Sequence, residues 1–253
     1  MSIVCFWVLG VVLLAGTDAR KPPIDGRIVG GKATTIEEHP FQVSVIYVDS
    51  HYCGGSILNS NYILTAAHCT NQVAAQNLYI RAGSTIMNEG GQLRQVEKYF
   101  QHEKFDPVTY DYDISILKLS EGLIFGDGVA AVDLPPQSED DVPGDIMGTA
   151  TGWGRLSLNG PLPLELQEVD LPTLKPDICR LVYGPSMTSR MLCAGYIQGQ
   201  KDTCQGDSGG PFVGDGVLIG VTSWGDGCGA PQSPGVYVKV QYFREYIDNI
   251  INS

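Results

Sequence analysis

Short runs of β-branched and alternating apolar residues recur along most of this chain, separated by Gly, Pro, Asn and Asp. Such runs are typical of antiparallel β structure, because successive side chains of a strand point to opposite faces. We predict strands at residues 41–48, 56–58, 62–65, 78–82, 114–119, 148–152, 164–171, 211–213, 217–224 and 235–240. The pattern therefore predicts an all-β protein made of antiparallel barrels or sandwiches.

The last segment of the chain has a different period. Phe243, Tyr246, Ile247 and Ile250 recur at helical spacing, so we predict a C-terminal helix that packs this stripe on the body of the protein. Residues 133–145 combine prolines with an acidic cluster, which disfavours a core strand. We place the crossing between two halves of the chain there.

Composition and charge narrow the class of protein. A chain of 253 residues that is 43% hydrophobic can form one large domain or two smaller ones. The net charge of −12 and the lack of a basic run exclude nucleic acid as a partner, since nothing here neutralises a row of phosphates.

The N-terminus carries an apolar run at residues 3–15 that is short for a membrane span and typical of a secretory signal peptide. We predict a signal peptide at residues 1–19, cleaved near Ala19, and a secreted, extracellular protein that has no membrane association afterwards. A signal anchor is the alternative, and the lack of a second hydrophobic segment disfavours it.

Seven cysteines become six once Cys5 is assigned to the signal peptide. An even set in an oxidising compartment implies three disulfides, although fifteen pairings of six cysteines are possible. Close Cys and His pairs at zinc-ligand spacing are lacking, which makes a metal framework the weaker interpretation.

Residues 20–27 are polar, contain two prolines and end in Arg27, directly before Ile28. One interpretation of this segment is a linker. The other is an activation propeptide, whose cleavage after Arg27 leaves a free amine on Ile28.

Three short motifs contain residues suited to nucleophilic catalysis. The sequence GDSGGP predicts a tight turn that exposes Ser208, whose hydroxyl needs a base to become a nucleophile. His68 follows a strand-like run and can exchange a proton near neutral pH. Asp111 and Asp113 begin an alternating run, where a carboxylate can orient a histidine ring or merely form a turn. Each residue alone is also compatible with a structural role.

Four motifs in this order, IVGG from Ile28, TAAHC around His68, DISILKL from Asp113 and GDSGGP around Ser208, resemble the chymotrypsin-type serine proteases. The general description of the catalytic triad comes from that family. The resemblance implies two six-stranded antiparallel β-barrels with the active site between them, plus a C-terminal helix. It implies a monomeric protease domain at residues 28–253, with barrels at about 28–132 and 133–253, and no cofactor.

The resemblance also implies catalytic roles. Ser208 would be the nucleophile, His68 the general base and then acid, and Asp113 the residue that orients His68. The N–H groups of Gly206 and Ser208 would form the oxyanion hole.

The specificity pocket follows from the same resemblance. Asp202, six positions before Ser208, would attract a Lys or Arg side chain, and Gly225 and Gly235 would leave room for it. Ser223 and Trp224 resemble the edge that pairs with extended substrate backbone. The implied partners are proteins and peptides cleaved after Lys or Arg, and proteinaceous serine protease inhibitors.

Activation in this family pairs the new amine, here on Ile28, with the aspartate before the nucleophile, here Asp207. His51 lies where many relatives hold that aspartate in the inactive precursor. Because Arg27 itself suits a pocket containing Asp202, self-activation is a reasonable hypothesis.

The disulfides implied by the resemblance are Cys53 with Cys69, Cys179 with Cys193, and Cys204 with Cys228. Vertebrate trypsins carry further bridges, so this set of three is more similar to invertebrate digestive trypsins. The loop at residues 84–92 offers Glu89 as its one acidic side chain, and we expect neither calcium there nor another metal site.

Two alternatives to a digestive trypsin stay open. One is a regulatory trypsin-like protease of narrow specificity, although a short propeptide without extra domains favours digestion. The other is an inactive, protease-like binding protein. The presence of His68, Asp113, Gly206 and Ser208 disfavours it.

Overall fold

The computed structural model describes residues 28–253. The expected signal peptide at residues 1–19 and the expected propeptide at residues 20–27, with Arg27, lie outside the described residues. Across the described range the chain is mostly strand, and its helices are all too short or too polar to cross a membrane.

The first half of the described chain closes into a six-stranded antiparallel barrel. Its strands are β2 (Gln42–Tyr47), β3 (Ser50–Asn59), β4 (Tyr62–Thr65), β5 (Leu78–Ala82), β6 (Gln92–Gln101) and β7 (Ser115–Leu119), in the spatial order β2-β3-β4-β7-β6-β5. Side chains that point inward, such as Val43, Ile63, Ile80 and Ile116, are fully buried. Burial of these apolar side chains is the main favourable term that holds the barrel together.

The second half forms an antiparallel sheet of seven strands. These are β1 (Lys32–Ala33), β8 (Met147–Gly152), β9 (Gln167–Pro172), β10 (Met191–Ala194), β11 (Pro211–Gly214), β12 (Val217–Trp224) and β13 (Gly235–Lys239), in the order β1-β9-β8-β11-β12-β13-β10. The resemblance implied six strands here. The seventh is β1, which precedes the barrel in the chain and pairs with β9, placing Lys32 opposite Glu168.

Two helices, α1 (Pro176–Tyr183) and α2 (Arg244–Ile251), pack outside the strands. The predicted C-terminal helix is confirmed as α2: its Ile247 is fully buried, and Phe243 just before it is nearly so. Both belong to one apolar cluster that also contains Ile116 of the barrel and Val221 of the second sheet. This shared core fixes the two halves against each other, and so fixes any site at their boundary.

Several elements have no local signal in the sequence. The predicted strands omit β1, β6 and β10, the helix prediction omits α1, and β3 was expected to be much shorter. Strand β6 is largely polar, with Val96 its one fully buried residue, and it forms because it pairs with both β5 and β7. In β3, Gly54 reads as a turn signal. In the fold, tight packing is what requires glycine within this strand, since a Cβ on Gly54 would lie 2.7 Å from the Cα of Gly210.

Candidate active site

A cleft of about 320 Å³ contains residues from both halves of the protein. His68 reaches it from the short 3₁₀ turn after β4, and Ser208 from the turn before β11. The lining residues are His68, Tyr110, Asp202, Thr203, Cys204, Gln205, Ser208, Thr222, Ser223, Trp224, Gly225, Gly227, Cys228 and Gly235.

A buried carboxylate fixes the His68 ring. Asp113 is 1% exposed, and its Oδ2 lies 2.8 Å from His68 Nδ1. Its Oδ1 accepts a hydrogen bond from the backbone N–H of His68 at 2.8 Å. A carboxylate at Nδ1 favours the tautomer that carries the proton there, which leaves Nε2 free to accept a proton.

Ser223 has a contact that the sequence did not indicate. Its hydroxyl donates to Asp113 Oδ2 at 2.5 Å, across 110 positions of sequence. We expected Ser223 only at the substrate edge. In the fold it also gives Oδ2 of the buried carboxylate a second partner beside His68 Nδ1.

The turn that carries Ser208 is wedged between the barrel and the second sheet. The Ser208 carbonyl accepts from Gly54 N–H at 2.8 Å, and Gly209 N–H donates to the Thr222 carbonyl at 2.7 Å. Gly209 has φ +78°, and a Cβ there would lie 2.1 Å from Thr65 Oγ1. Among the described residues no hydrogen bond joins the Ser208 hydroxyl to His68, and such bonds often tighten only when substrate binds.

His51 anchors the other side of this turn. Its Nε2 donates to the Gly206 carbonyl at 2.9 Å, and its Nδ1 accepts from Ser44 Oγ at 2.8 Å. Burial lowers the pKa of His51 to about 4, against the opposing effect of the Gly206 bond, so the ring is neutral at physiological pH. His51 thus hydrogen-bonds to Gly206 and not to Asp207, whose carboxylate accepts hydrogen bonds from Gly154 and Cys204.

Asp207 is fully buried and accepts backbone hydrogen bonds from Gly154 at 2.7 Å and Cys204 at 2.9 Å. Burial raises its pKa to about 6, although both bonds oppose the shift. Among residues 28–253 no Lys or Arg side chain forms an ion pair with it. The Ile28 side chain is also fully buried, in an apolar cluster with Tyr237.

A second buried carboxylate, Asp202, lines the cleft and is 2% exposed. It accepts backbone hydrogen bonds from Thr203 at 2.8 Å and Gly229 at 3.0 Å. A Cβ on Gly235 would lie 2.8 Å from its Oδ1, so this wall requires glycine, while Gly225 faces more open space. Burial raises the pKa of Asp202 to about 7, against those two bonds. Such a group favours a cationic ligand.

We expect a small arylamidinium inhibitor to bind the cleft more weakly as the pH falls below about 7. The raised pKa leaves Asp202 partly protonated near neutral pH, and a bound cation favours the ionised form. The dissociation constant then rises by up to about tenfold per pH unit below the pKa and levels off above it. Calorimetry in two buffers of different ionisation enthalpy measures both the affinity and the protons released. An affinity that does not vary with pH contradicts the expectation.

Three disulfides join cysteines of the described range, with the pairing that the resemblance implied. Cys53–Cys69 is next to His68, and Cys204–Cys228 ties the turn that carries Ser208 to the wall of the cleft. Cys179–Cys193 links α1 to β10. In the chain-entropy view each bridge stabilises the fold by roughly 3 kcal/mol.

Tyr110 was not among the predicted site residues, although its ring centre lies 5.3 Å from that of His68. Thr203, the neighbour of Asp202 in the chain, and Thr222 also line the cleft and were not predicted. Their positions in loops and in β12 carry no signature of a site, and only the fold brings them to the cleft.

A closed barrel and a second antiparallel sheet that meet at a cleft with Ser, His and a buried Asp define the class of trypsin-like serine proteases. The family model described as Trypsin matches residues 28–247. The chain belongs to this family, and it is a serine endopeptidase.

Curated relatives span nearly the whole chain. The Vitellin-degrading protease of Bombyx mori is 42% identical over 99% of this chain and 94% of its own length. Trypsin 5G1 of Aedes aegypti is 41% identical over 89% of this chain and 85% of its own. Trypsin alpha of Drosophila melanogaster is 39% identical over 100% and 99% of the two chains.

Proposed function

We propose that this protein is a secreted digestive trypsin, made as an inactive precursor, that cleaves peptide bonds on the carboxyl side of Lys or Arg. The buried Asp202 carboxylate in a glycine-walled cleft carries the proposal, because a substrate cation is the partner that would neutralise it. The similarity to insect trypsins supports a digestive role.

In the proposed mechanism Ser208 Oγ forms a bond to the scissile carbonyl carbon as its proton passes to His68 Nε2. The carbonyl electron pair moves onto oxygen, where the N–H groups of Gly206 and Ser208 stabilise the charge. Collapse expels the amine, which takes the proton from His68 and leaves an acyl-enzyme. Water then attacks the acyl-enzyme as its proton passes to His68. His68 returns the proton to Ser208 Oγ, and the acid product leaves. Asp113 holds the ring and stabilises the imidazolium.

In the proposed activation step, cleavage after Arg27 gives Ile28 an amine that pairs with Asp207. Asp207 is buried, has a pKa raised to about 6 and has no side-chain cation among the described residues. Asp202 N–H donates to the Val29 carbonyl at 3.1 Å, so the segment after the proposed cut contacts the pocket. A charge pair at Asp207 would therefore couple the new N-terminus to both the pocket and the turn.

We expect Arg27→Gln to keep the secreted precursor inactive when a trace of active enzyme is added. The wild-type precursor and a Lys21→Gln control should both gain amidase activity, and N-terminal sequencing should then find Ile28 first. A precursor of Ser208→Ala that matures at the wild-type rate, with active enzyme excluded, contradicts self-activation. Full activity of uncut Arg27→Gln contradicts the precursor hypothesis itself.

The main alternative function is a regulatory trypsin-like protease of narrow specificity. One relative is named for the degradation of vitellin. A cleavage profile over a peptide library separates the two functions. A digestive enzyme accepts most sequences before Lys or Arg, whereas a narrow protease requires particular neighbouring residues.

A further inference from the structure

An ion pair joins the segment that carries Asp113 to the second half of the protein. Arg190 Nε donates to Asp111 Oδ1 at 2.9 Å, and its Nη2 donates to Oδ2 at 2.6 Å. Thr188 Oγ1 adds a third bond to Oδ1 at 2.9 Å. Asp111 is two residues before Asp113, and Arg190 directly precedes β10. The pair therefore bridges the barrel and the second sheet within a few residues of the cleft.

The bridged segment has an unfavourable backbone. Tyr110 and Tyr112 have φ angles of +57° and +54°, in the left-handed region that bulky side chains rarely adopt. Such conformations persist only where the surroundings hold them. Asp113 follows this segment directly in the chain, so the contacts that hold residues 110–112 bear on its position.

Arg190 supplies those contacts on two sides. Besides the pair with Asp111, its guanidinium carbon lies 4.8 Å from the centre of the Tyr112 ring. The His102 ring also stacks on Tyr112, with the two ring centres 4.7 Å apart. Arginine suits this position, because its planar fork can bind a carboxylate with two bonds and stack on an aromatic ring at once.

The ion pair is more enclosed than the exposed pairs of the surface. The side chains of Arg190 and Asp111 are 21% and 19% exposed, against 32% and 46% for Lys118 and Glu97. Burial opposes ionisation of Asp111, but the bonds from Arg190 and Thr188 outweigh it and lower the pKa of Asp111. An ion pair holds its two side chains in place best when it is enclosed and bidentate.

We propose that Arg190 is a positioning residue for catalysis. Through Asp111 it holds residues 110–113 in their strained conformation, and so keeps Asp113 aligned with His68. It does not touch the substrate. The inference rests on the proposed role of Asp113, and it adds that residues before β10, in the other half of the molecule, set the geometry of the catalytic pair.

The test uses the activated full chain with Arg190→Met and Asp111→Asn. The substrate is an acylated arginine amide with no residue before the arginine, so no further substrate residue can contact Tyr110, which lines the cleft. Burst titration counts active sites, so that unfolded protein is not scored. We expect each variant to lower kcat per active site by about tenfold, because small misplacements of catalytic groups are costly. KM and the inhibition constant of an arylamidinium should stay within about twofold.

Three further variants sharpen the test. Arg190→Lys keeps the charge and loses the fork, so its kcat should be intermediate. Thr188→Val is a smaller change that removes one hydrogen bond to Asp111, so it serves as the test if Arg190→Met does not fold. It should lower kcat by about twofold to threefold. Glu97→Gln breaks the exposed pair with Lys118 and should change nothing.

Normal kcat per active site in Arg190→Met, Asp111→Asn and Thr188→Val overturns the inference. An equal rise in KM and in the inhibition constant, with kcat unchanged, also overturns it, because the pair would then act on the pocket. Asp113→Asn separates the proposed role of Asp113 from the proposed role of Arg190. If that variant keeps its activity, the proposed role of Asp113 is wrong. If it loses activity while Arg190→Met does not, only the role of Arg190 is wrong.

Discussion

Replacing Ser208 with alanine should lower kcat for arginine amides by about 10⁵-fold to 10⁶-fold, the loss typical of removing the nucleophile from a triad. The substitution removes one hydroxyl from a turn whose backbone is held by Gly54 and Thr222, so the fold should be unaffected. An arylamidinium should bind with unchanged affinity, because Asp202 and the cleft walls remain.

The matched control for this experiment is Ser120→Ala, an exposed serine directly after β7. It should have wild-type activity. Residual activity of Ser208→Ala above about 1% of wild type, after contaminating protease is excluded by inhibitor titration, would contradict the assignment of the nucleophile.

Replacing Asp202 with asparagine should lower kcat/KM for Lys and Arg substrates by roughly 10²-fold to 10⁴-fold. This range corresponds to about 3–5.5 kcal/mol, within and slightly above the roughly 2–5 kcal/mol or more that removing one partner of a buried, hydrogen-bonded charge pair costs. Asparagine has nearly the shape of aspartate and still accepts a hydrogen bond at one position. The loss therefore reports the charge and not the packing.

Asp226→Asn is the control for Asp202→Asn, because it changes the net charge equally at an exposed residue close to the pocket. It should alter kcat/KM by less than about twofold. The Asp202→Asn variant should still be acylated by a small neutral ester, since His68 and Ser208 are intact. Equal losses in both variants, or normal cleavage of arginine amides by Asp202→Asn, would contradict a specificity role for Asp202.

Local patterns predicted much of the fold. Alternation marked β5 and β7, and the apolar stripe with Ile247 marked α2, because both repeats report which face a regular element buries. These patterns did not predict the polar strand β6. Its stability comes from strand pairing and not from an apolar face, so its own residues give no sign of it.

The motifs around His68, Asp113 and Ser208, with Asp202 six positions before the serine, were enough to name the candidate site, since their residue types and order carry the chemistry. The fold then brought them to one cleft and pocket.

Only the tertiary structure decided what holds those groups in place. Ser223 bonds to Asp113, His51 to the Gly206 carbonyl, and Arg190 to Asp111, each across at least 79 positions of sequence. Such partners have no periodicity or motif, because their contacts arise when a barrel and a sheet pack against each other. The sequence by itself therefore determined the chemical groups, and the packing of the two halves determined their alignment.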